Sequence, residues 1–363
     1  KVIVVTAPDD SNAFVIFETL NDRGLELATS DLLKNYLFHR SGEKIEETKN
    51  RWLSMVAVLE SASDDPLVVT YLRHVAMSKY GVVREKDLFG LIKRKITSKK
   101  LALAFSTELR DTARTYTALI NTDHDFWTEY DPKVRECVSA FNLLGMTQMR
   151  PLLLAIIERF DRKQLVLAFQ KLEAVAVRFQ VVGGGGGGSL ERIYSETARQ
   201  VTEGKILNAA GIVKAFPTLP VDSAFEQSFA LITVSKQSLA RYYLRNLERI
   251  ASAGDQETVP NPDTGRVNLE HILPLTLTSD WERDWSPEEA RAFQRRLGNM
   301  ALMSAKGNSV AGNDSFTAKQ PKYRGSAFVL TKSLATYKRW TSSEIEKRQA
   351  EMATYAAKAW AIR

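Results

Sequence analysis

The chain has 363 residues, with 50 Lys and Arg against 43 Asp and Glu, a net charge of +7 and a single cysteine, Cys137. That length implies two or three domains, each able to bury a core. One cysteine excludes an intrachain disulfide and a four-cysteine zinc knuckle, no apolar run is long enough to span a membrane, and the start has no signal-peptide pattern. A cytoplasmic protein with no membrane partner is the expectation.

The first element is a β-branched run, Lys1-Val2-Ile3-Val4-Val5, which reads as a buried strand whose partner would lie upstream, as if this edge were cut. Ala13 to Leu20, the turn Asn21-Asp22-Arg23-Gly24 and Ser30 to Phe38 read as helix, glycine turn, helix. Thr29 and Ser30 are candidate caps for the second helix, with Asp31 in its first turn.

Residues 41–250 read as a helical body. Trp52, Met55, Val56, Val58 and Leu59 recur at helical spacing, as do Leu67, Val68, Tyr71, Leu72 and Val75, and then Leu88, Leu91, Ile92 and Ile96. Pro151 opens a further helix. Leu190, Ile193, Tyr194, Thr197, Ala198 and Val201 make another apolar stripe. His39, His74 and His124 have no partner at metal-ligand spacing and read as structural or exposed. Gly183 to Gly188 is an entropically costly run that reads as a flexible link. No Lys-Ser/Thr follows it, so it does not read as a phosphate-binding loop.

A third region begins near residue 251. Ala251 to Arg266 is rich in turn formers. Ser286, Pro287 and Glu289 form a helix start with a capping box, and Gly298 is the expected helix stop. Thr341 and Glu344 form a second capping box. The helix it opens carries Ile345, Met352, Ala356 and Trp360 along one side. Trp281, Trp285 and Trp340 are expected core residues.

Within this region lies the chemically suggestive part of the chain: Glu270-His271-Ile272-Leu273-Pro274, then Leu297-Gly298-Asn299-Met300-Ala301-Leu302-Met303, then Asn308. A carboxylate and an amide oxygen suit a hard divalent ion such as Mg2+ or Mn2+. An imidazole, with a pKa near neutrality, can deprotonate a water. Residues 291–339 hold ten basic residues and one acid, Asp314, so a phosphate backbone would be drawn here. Arg295, Arg296, Lys306, Lys319, Lys322 and Arg324 are the candidate DNA contacts.

These motifs resemble the HNH, or ββα-metal, nuclease pattern in its Asp/Glu-His-Ile-x-Pro, Asn-x-x-Leu, Asn form. Together with Asn313-Asp314-Ser315-Phe316, Lys319, Tyr323, Ser326, Trp340 and Arg348, they resemble the C-terminal HNH domain of the GmrSD-type family. These are modification-dependent, type IV-like restriction endonucleases, with SspE-like proteins among their relatives. By position, the resemblance implies that His271 is the general base, that Glu270 and Asn308 hold the metal ion, and that Asn299 ties the strands so that His271 is aimed.

Phe17-Glu18-x-Leu20-Asn21-x-Arg23-Gly24 and Leu27-x-x-x-Asp31-Leu32-x-Lys34-Asn35 resemble the end of the family's ParB-like N-terminal domain, whose Asp-Gly-Gln-Gln-Arg hallmark this sequence lacks. On that resemblance Asn21, Arg23, Asp31 and Lys34 line a nucleotide site. The alternative is that Arg23 and Asp31 merely cap helices and pair at the surface.

The expected architecture is mainly α: a tail of an α/β ParB-like domain at 1–40, a helical connector domain at 41–250 and a ββα-metal (HNH) nuclease domain at 251–363. The expected function is metal-dependent nicking or cleavage of modified or phage DNA, with self-association left open. Two alternatives stand beside it: a non-catalytic DNA-binding adaptor, and a regulatory NTPase with a helical signalling body.

Overall fold

A computed structural model describes residues 28–64, 66–183, 187–253, 266–304 and 312–362. The strand expected at residues 1–5, the helix–turn segment up to Gly24, residues 184–186 of the glycine run and most of the 251–266 segment lie outside the described residues, as do Asn21, Arg23, Lys306 and Asn308. Helices dominate, and the chain divides into two compact units.

The first unit takes in residues up to Asn142, Met146–Gln170 and Gly186–Phe216. Its helices are α1 (Thr29–Ser41), α2 (Ile45–Glu60), α3 (Val68–Tyr80), α4 (Glu85–Lys95), α5 (Lys99–Ile120), α6 (Pro132–Leu143), α7 (Arg150–Arg159), the first part of α8 (Arg162–Val182), α9 (Gly187–Thr202) and α10 (Ala209–Lys214). The stripes read from sequence supply its core: Trp52, Met55, Leu59, Tyr71, Leu72, Val75, Leu88, Ile92, Tyr194, Ala198 and Val201 are all buried. One local expectation is corrected. Thr29 is the first residue of α1 rather than its cap, and Ala28 precedes it without a side-chain cap.

The second unit comprises Leu143–Gly145, Lys171–Gly185 and Pro217–Arg363. It holds α11 (Asp222–Phe229), α12 (Gln237–Ala251), β1 (Val267–His271), α13 (Pro287–Phe293), β2 (Met300–Ser304), α14 (Phe316–Arg324), α15 (Val329–Lys332) and α16 (Ser342–Ala359). The expected boundary at 250 is therefore moved: α11 and α12 pack with the ribbon region. Buried polar contacts show why. Arg241 donates to the Val267 carbonyl, and the Glu248 carboxylate accepts from the backbone N–H groups of Val329 and Leu330.

β1 and β2 pair antiparallel, with Val267 opposite Ser304, Glu270 opposite Ala301 and His271 opposite Met300. A lone two-stranded ribbon is marginal in water, and this one is packed on both faces. Val267, Leu269, Met300 and Leu302 join a cluster with Tyr243, Leu247, Met352 and Trp360. Ala301 and Met303 join another with Trp281, Trp285, Phe316, Tyr323 and Trp340. Side chains also satisfy ribbon carbonyls that have no strand beside them. Arg348 donates to the carbonyls of Gly298 and Met300, and Thr331 Oγ1 donates to Leu302 O at 2.7 Å. Arg348 is fully buried, which lowers its guanidinium pKa to about 10, so it remains cationic at neutral pH.

The capping boxes differ. At α16 both halves form, Thr341 and Glu344 bonding reciprocally. At α13 the Ser286 hydroxyl accepts from Glu289 N at 3.2 Å. Gly298 does not end α13, which stops at Phe293. It sits instead in a 3-10 turn, Leu297–Asn299, pressed against α16. A Cβ there would lie 2.5 Å from Ile345 O, so the glycine serves close approach rather than a left-handed cap.

Candidate functional site

The end of β1 brings Glu270 and His271 into different surroundings, because successive strand side chains leave opposite faces. Glu270 lies on the α14 side. Its Oε1 accepts from Lys319 Nζ at 2.8 Å and from the Tyr323 hydroxyl at 3.2 Å. Lys319 and Tyr323 are one helical turn apart on α14, so the helix presents both to the same carboxylate. Lys319 Nζ also donates to the carbonyls of His271 (3.1 Å) and Ile272 (3.2 Å). The ammonium thus has three acceptors for three N–H bonds, and its side chain is 0% exposed.

Burial raises the Glu270 pKa, and the Lys319 ammonium offsets part of that rise. Burial likewise pushes the Tyr323 hydroxyl far above its ordinary value, with Glu270 adding to the shift. His271 is half-buried. Burial lowers its imidazole pKa, assisted by the positive charges of Lys319 and Arg295. The ring is therefore neutral at physiological pH and can accept a proton.

Asn299 fixes the backbone just past His271. Its Oδ1 accepts from Leu273 N at 2.8 Å and from Trp340 Nε1 at 3.0 Å. Its Nδ2 donates to Leu273 O at 2.9 Å and to Gln294 O at 3.1 Å. Its own carbonyl accepts from Ile272 N at 3.0 Å. The side-chain amide is fully buried and bonded through both its atoms.

Two further residues, not singled out from sequence, extend this frame. Gln294 Nε2 donates to the carbonyls of Pro274 (2.8 Å) and Leu275 (3.0 Å). Gln349 Oε1 accepts from Gly298 N and from Arg296 Nε, each at 3.0 Å, while its Nε2 donates to the Phe229 and Ile232 carbonyls. No sequence motif marks either glutamine, since each acts through backbone groups distant in the chain.

The basic residues separate into inner and outer sets. Lys319, expected on a phosphate-facing surface, is buried against Glu270, which corrects that expectation. Arg296 is largely structural, with its guanidinium donating to Gln349 Oε1 and to Ala230 O at 2.8 Å. Lys322 is half-buried and pairs with Asp314 at 3.0 Å. Arg295 and Arg324 are exposed, and Arg295 donates to Ser235 Oγ at 2.8 Å. In the first unit, Asp31 and Lys34 pair with each other at 2.7 Å, one turn apart on α1.

Among the described residues, no group of three or more His, Cys, Asp or Glu side chains is placed to hold a metal ion. The oxygen donor at the ribbon among the described residues is the Glu270 carboxylate. Glu270 Oε1 is taken by Lys319 and Tyr323, and among the described residues Oε2 carries no hydrogen bond. One hard oxygen donor, Glu270 Oε2, therefore remains among the described residues, of the kind that suits a divalent ion; Asn308 lies outside them.

No helix among the described residues is long and apolar enough to cross a membrane. No curated protein matches the sequence. Residues 219–355 match the family model described as GmrSD restriction endonucleases, C-terminal domain, a span that begins at α11 and so agrees with the second compact unit rather than with a boundary at 250. Over these residues the chain is similar to the C-terminal domain of the GmrSD restriction endonucleases.

Proposed function

We propose that the chain is a metal-dependent DNA endonuclease of the HNH, or ββα-metal, kind, nicking or cleaving phosphodiesters in modification-dependent, anti-phage restriction. The observation that carries this is the half-buried His271 at the end of β1, with its following residues locked by Asn299. Such an imidazole can take a proton from a water aimed at phosphorus. Asn299 is a positioning residue, because all its contacts are to protein groups. Glu270 through Oε2 and Asn308 would hold Mg2+ or Mn2+. When bound, the ion supplies Lewis-acid stabilisation of the phosphate and of the leaving 3′ oxygen. The exposed Arg295 and Arg324 supply charge for the backbone. The cytoplasm is the setting for such a reaction.

The test is plasmid nicking by the full chain with and without Mg2+. His271→Ala should abolish nicking while DNA binding and the thermal midpoint stay unchanged. Retained cleavage by that variant refutes the base assignment. Binding without any magnesium-dependent nicking by the parent would favour a DNA-binding adaptor. Nucleotide hydrolysis indifferent to His271→Ala would favour an NTPase. Asn308→Ala should weaken Mn2+ binding, measured by calorimetry in the absence of DNA.

A further inference from the structure

The corner between α4 and α5 concentrates positive charge that the site above does not use. Lys93, Arg94 and Lys95 form the last turn of α4, and Lys99 and Lys100 open α5. All five are exposed. No acidic residue occurs in the sequence between Asp87 and Glu108. The two flanking acids are engaged elsewhere, Asp87 with Arg84 at 2.7 Å and Glu108 with Lys79. Arg40, also exposed, joins the cluster from α1.

The corner is a built feature. The Tyr36 hydroxyl, from a side chain that is 1% exposed, donates to Ile96 O at 2.6 Å and to Lys93 O at 3.2 Å, and accepts from Arg40 Nε at 3.2 Å. Ile96 is buried beneath the turn, and Ser98 Oγ caps α5 by accepting from Leu101 N at 3.3 Å. The Lys93 and Lys95 ammonium groups stand over the rings of Phe89 and Tyr80, at 5.8 Å and 5.4 Å from the centroids. Glu43 lies 2.9 Å from Lys99, with both groups open to solvent, so the pair is weak.

Solubility alone is a poor account of this placement. Lys93 to Lys95 suit the negative end of α4, but Lys99 and Lys100 sit at the positive end of a 22-residue helix with no acid in its first turn. Their charge opposes the helix that carries them. Exposed Arg40, Arg94, Lys95, Lys99 and Lys100, carried by one turn and the helix beside it, suit a polyanion.

We propose that the α4–α5 corner is a contact surface for the phosphate backbone of duplex nucleic acid, blind to base sequence. This does not rest on His271 acting as a base, since a non-cleaving DNA binder would use the surface equally.

The test uses the full chain carrying His271→Ala, in EDTA, with labelled duplexes of roughly 30 base pairs and two unrelated sequences, over a range of KCl. Arg94→Gln, Lys95→Gln and Lys100→Gln together should flatten the slope of log K against log salt by up to about 2.7. Affinity near 0.1 M salt should fall roughly 10- to 100-fold for both sequences alike. Arg94→Gln or Lys100→Gln alone should each flatten the slope by about 0.9. The control removes three exposed cations elsewhere in the same unit: Arg135→Gln, Arg159→Gln and Lys163→Gln. An unchanged slope in the test triple, or an equal change in the control triple, overturns the proposal. So does loss of binding to phosphatidylserine vesicles with DNA binding intact, which would make this a membrane-facing surface. Nicking by the same triple on an otherwise unaltered chain, at saturating protein, separates this question from the nuclease reading.

Discussion

Lys319 Nζ lies 2.8 Å from Glu270 Oε1, and both side chains are shut away from solvent. A buried pair of this kind need not stabilise more than an apolar substitute would, but breaking it leaves an uncompensated charge. Lys319→Met should therefore cost about 3–5 kcal/mol in urea unfolding. Glu270→Gln in the same background should recover part of that loss, because the orphaned charge is gone. The double-mutant cycle reads the coupling directly. A coupling near zero would mean that Glu270 finds its counter-charge elsewhere, as a metal ligand would.

Asn299→Ala removes bonds to Leu273, Gln294 and Trp340 at once. Each buried group left unsatisfied costs about 1–3 kcal/mol, so the thermal midpoint should fall. Nicking should fall further than stability explains, with the loss in kcat rather than KM, because the backbone beyond His271 is no longer held. Equal activity in folded Asn299→Ala protein would show that the tie is purely structural.

Features written within a few residues of each other were legible in the sequence. The Thr341–Glu344 capping box needs only three-residue spacing, and helical stripes such as Tyr71, Leu72 and Val75 need only one turn. The buried tryptophans follow from size and apolarity. Lys319 could not be read correctly, because a run of cations does not reveal which of them turns inward. Its partner Glu270 is 49 residues away and meets it only when α14 packs on the ribbon. Gln349 is equally silent: its four contacts, to Gly298, Arg296, Phe229 and Ile232, come from two distant segments. The same long-range packing moved α11 and α12 out of the expected connector.

His74 gives the first unit a pH response. It is buried, with Nδ1 2.9 Å from the Tyr116 hydroxyl, and burial, with the nearby charges of Arg150 and Arg73, lowers its pKa from 6.5 to about 3. The unfolded chain thus binds a proton at higher pH than the folded one. The stability this gives is complete above about 6.5 and is lost as pH falls towards 3. The slope within that window approaches about 1.4 kcal/mol per pH unit. His74→Gln keeps a polar partner for Tyr116 but does not titrate. Urea unfolding at pH 7 and pH 4.5 should show a smaller acid loss in the variant than in the parent. Carboxylates contribute equally to both, so identical losses would mean that His74 is not held neutral.

Gly298 is where α16 closes on the ribbon. An added Cβ would stand 2.5 Å from the Ile345 carbonyl oxygen and 2.8 Å from Gln349 Cβ. Ile345 belongs to the backbone of α16 and cannot give way alone. Gln349 is bonded at both ends of its amide. Gly298→Ala must therefore push α16 outward, an overpacking cost of roughly 1–3 kcal/mol in unfolding. The same shift would drag Arg348 from the carbonyls of Gly298 and Met300 and slacken the strand that faces His271. Nicking should fall together with stability, and a second change, Gln349→Ala, should not restore either, because the Ile345 carbonyl is the nearer obstacle. Wild-type stability in Gly298→Ala would show that α16 is free to move, and the frame described around Asn299 would then not depend on its closeness.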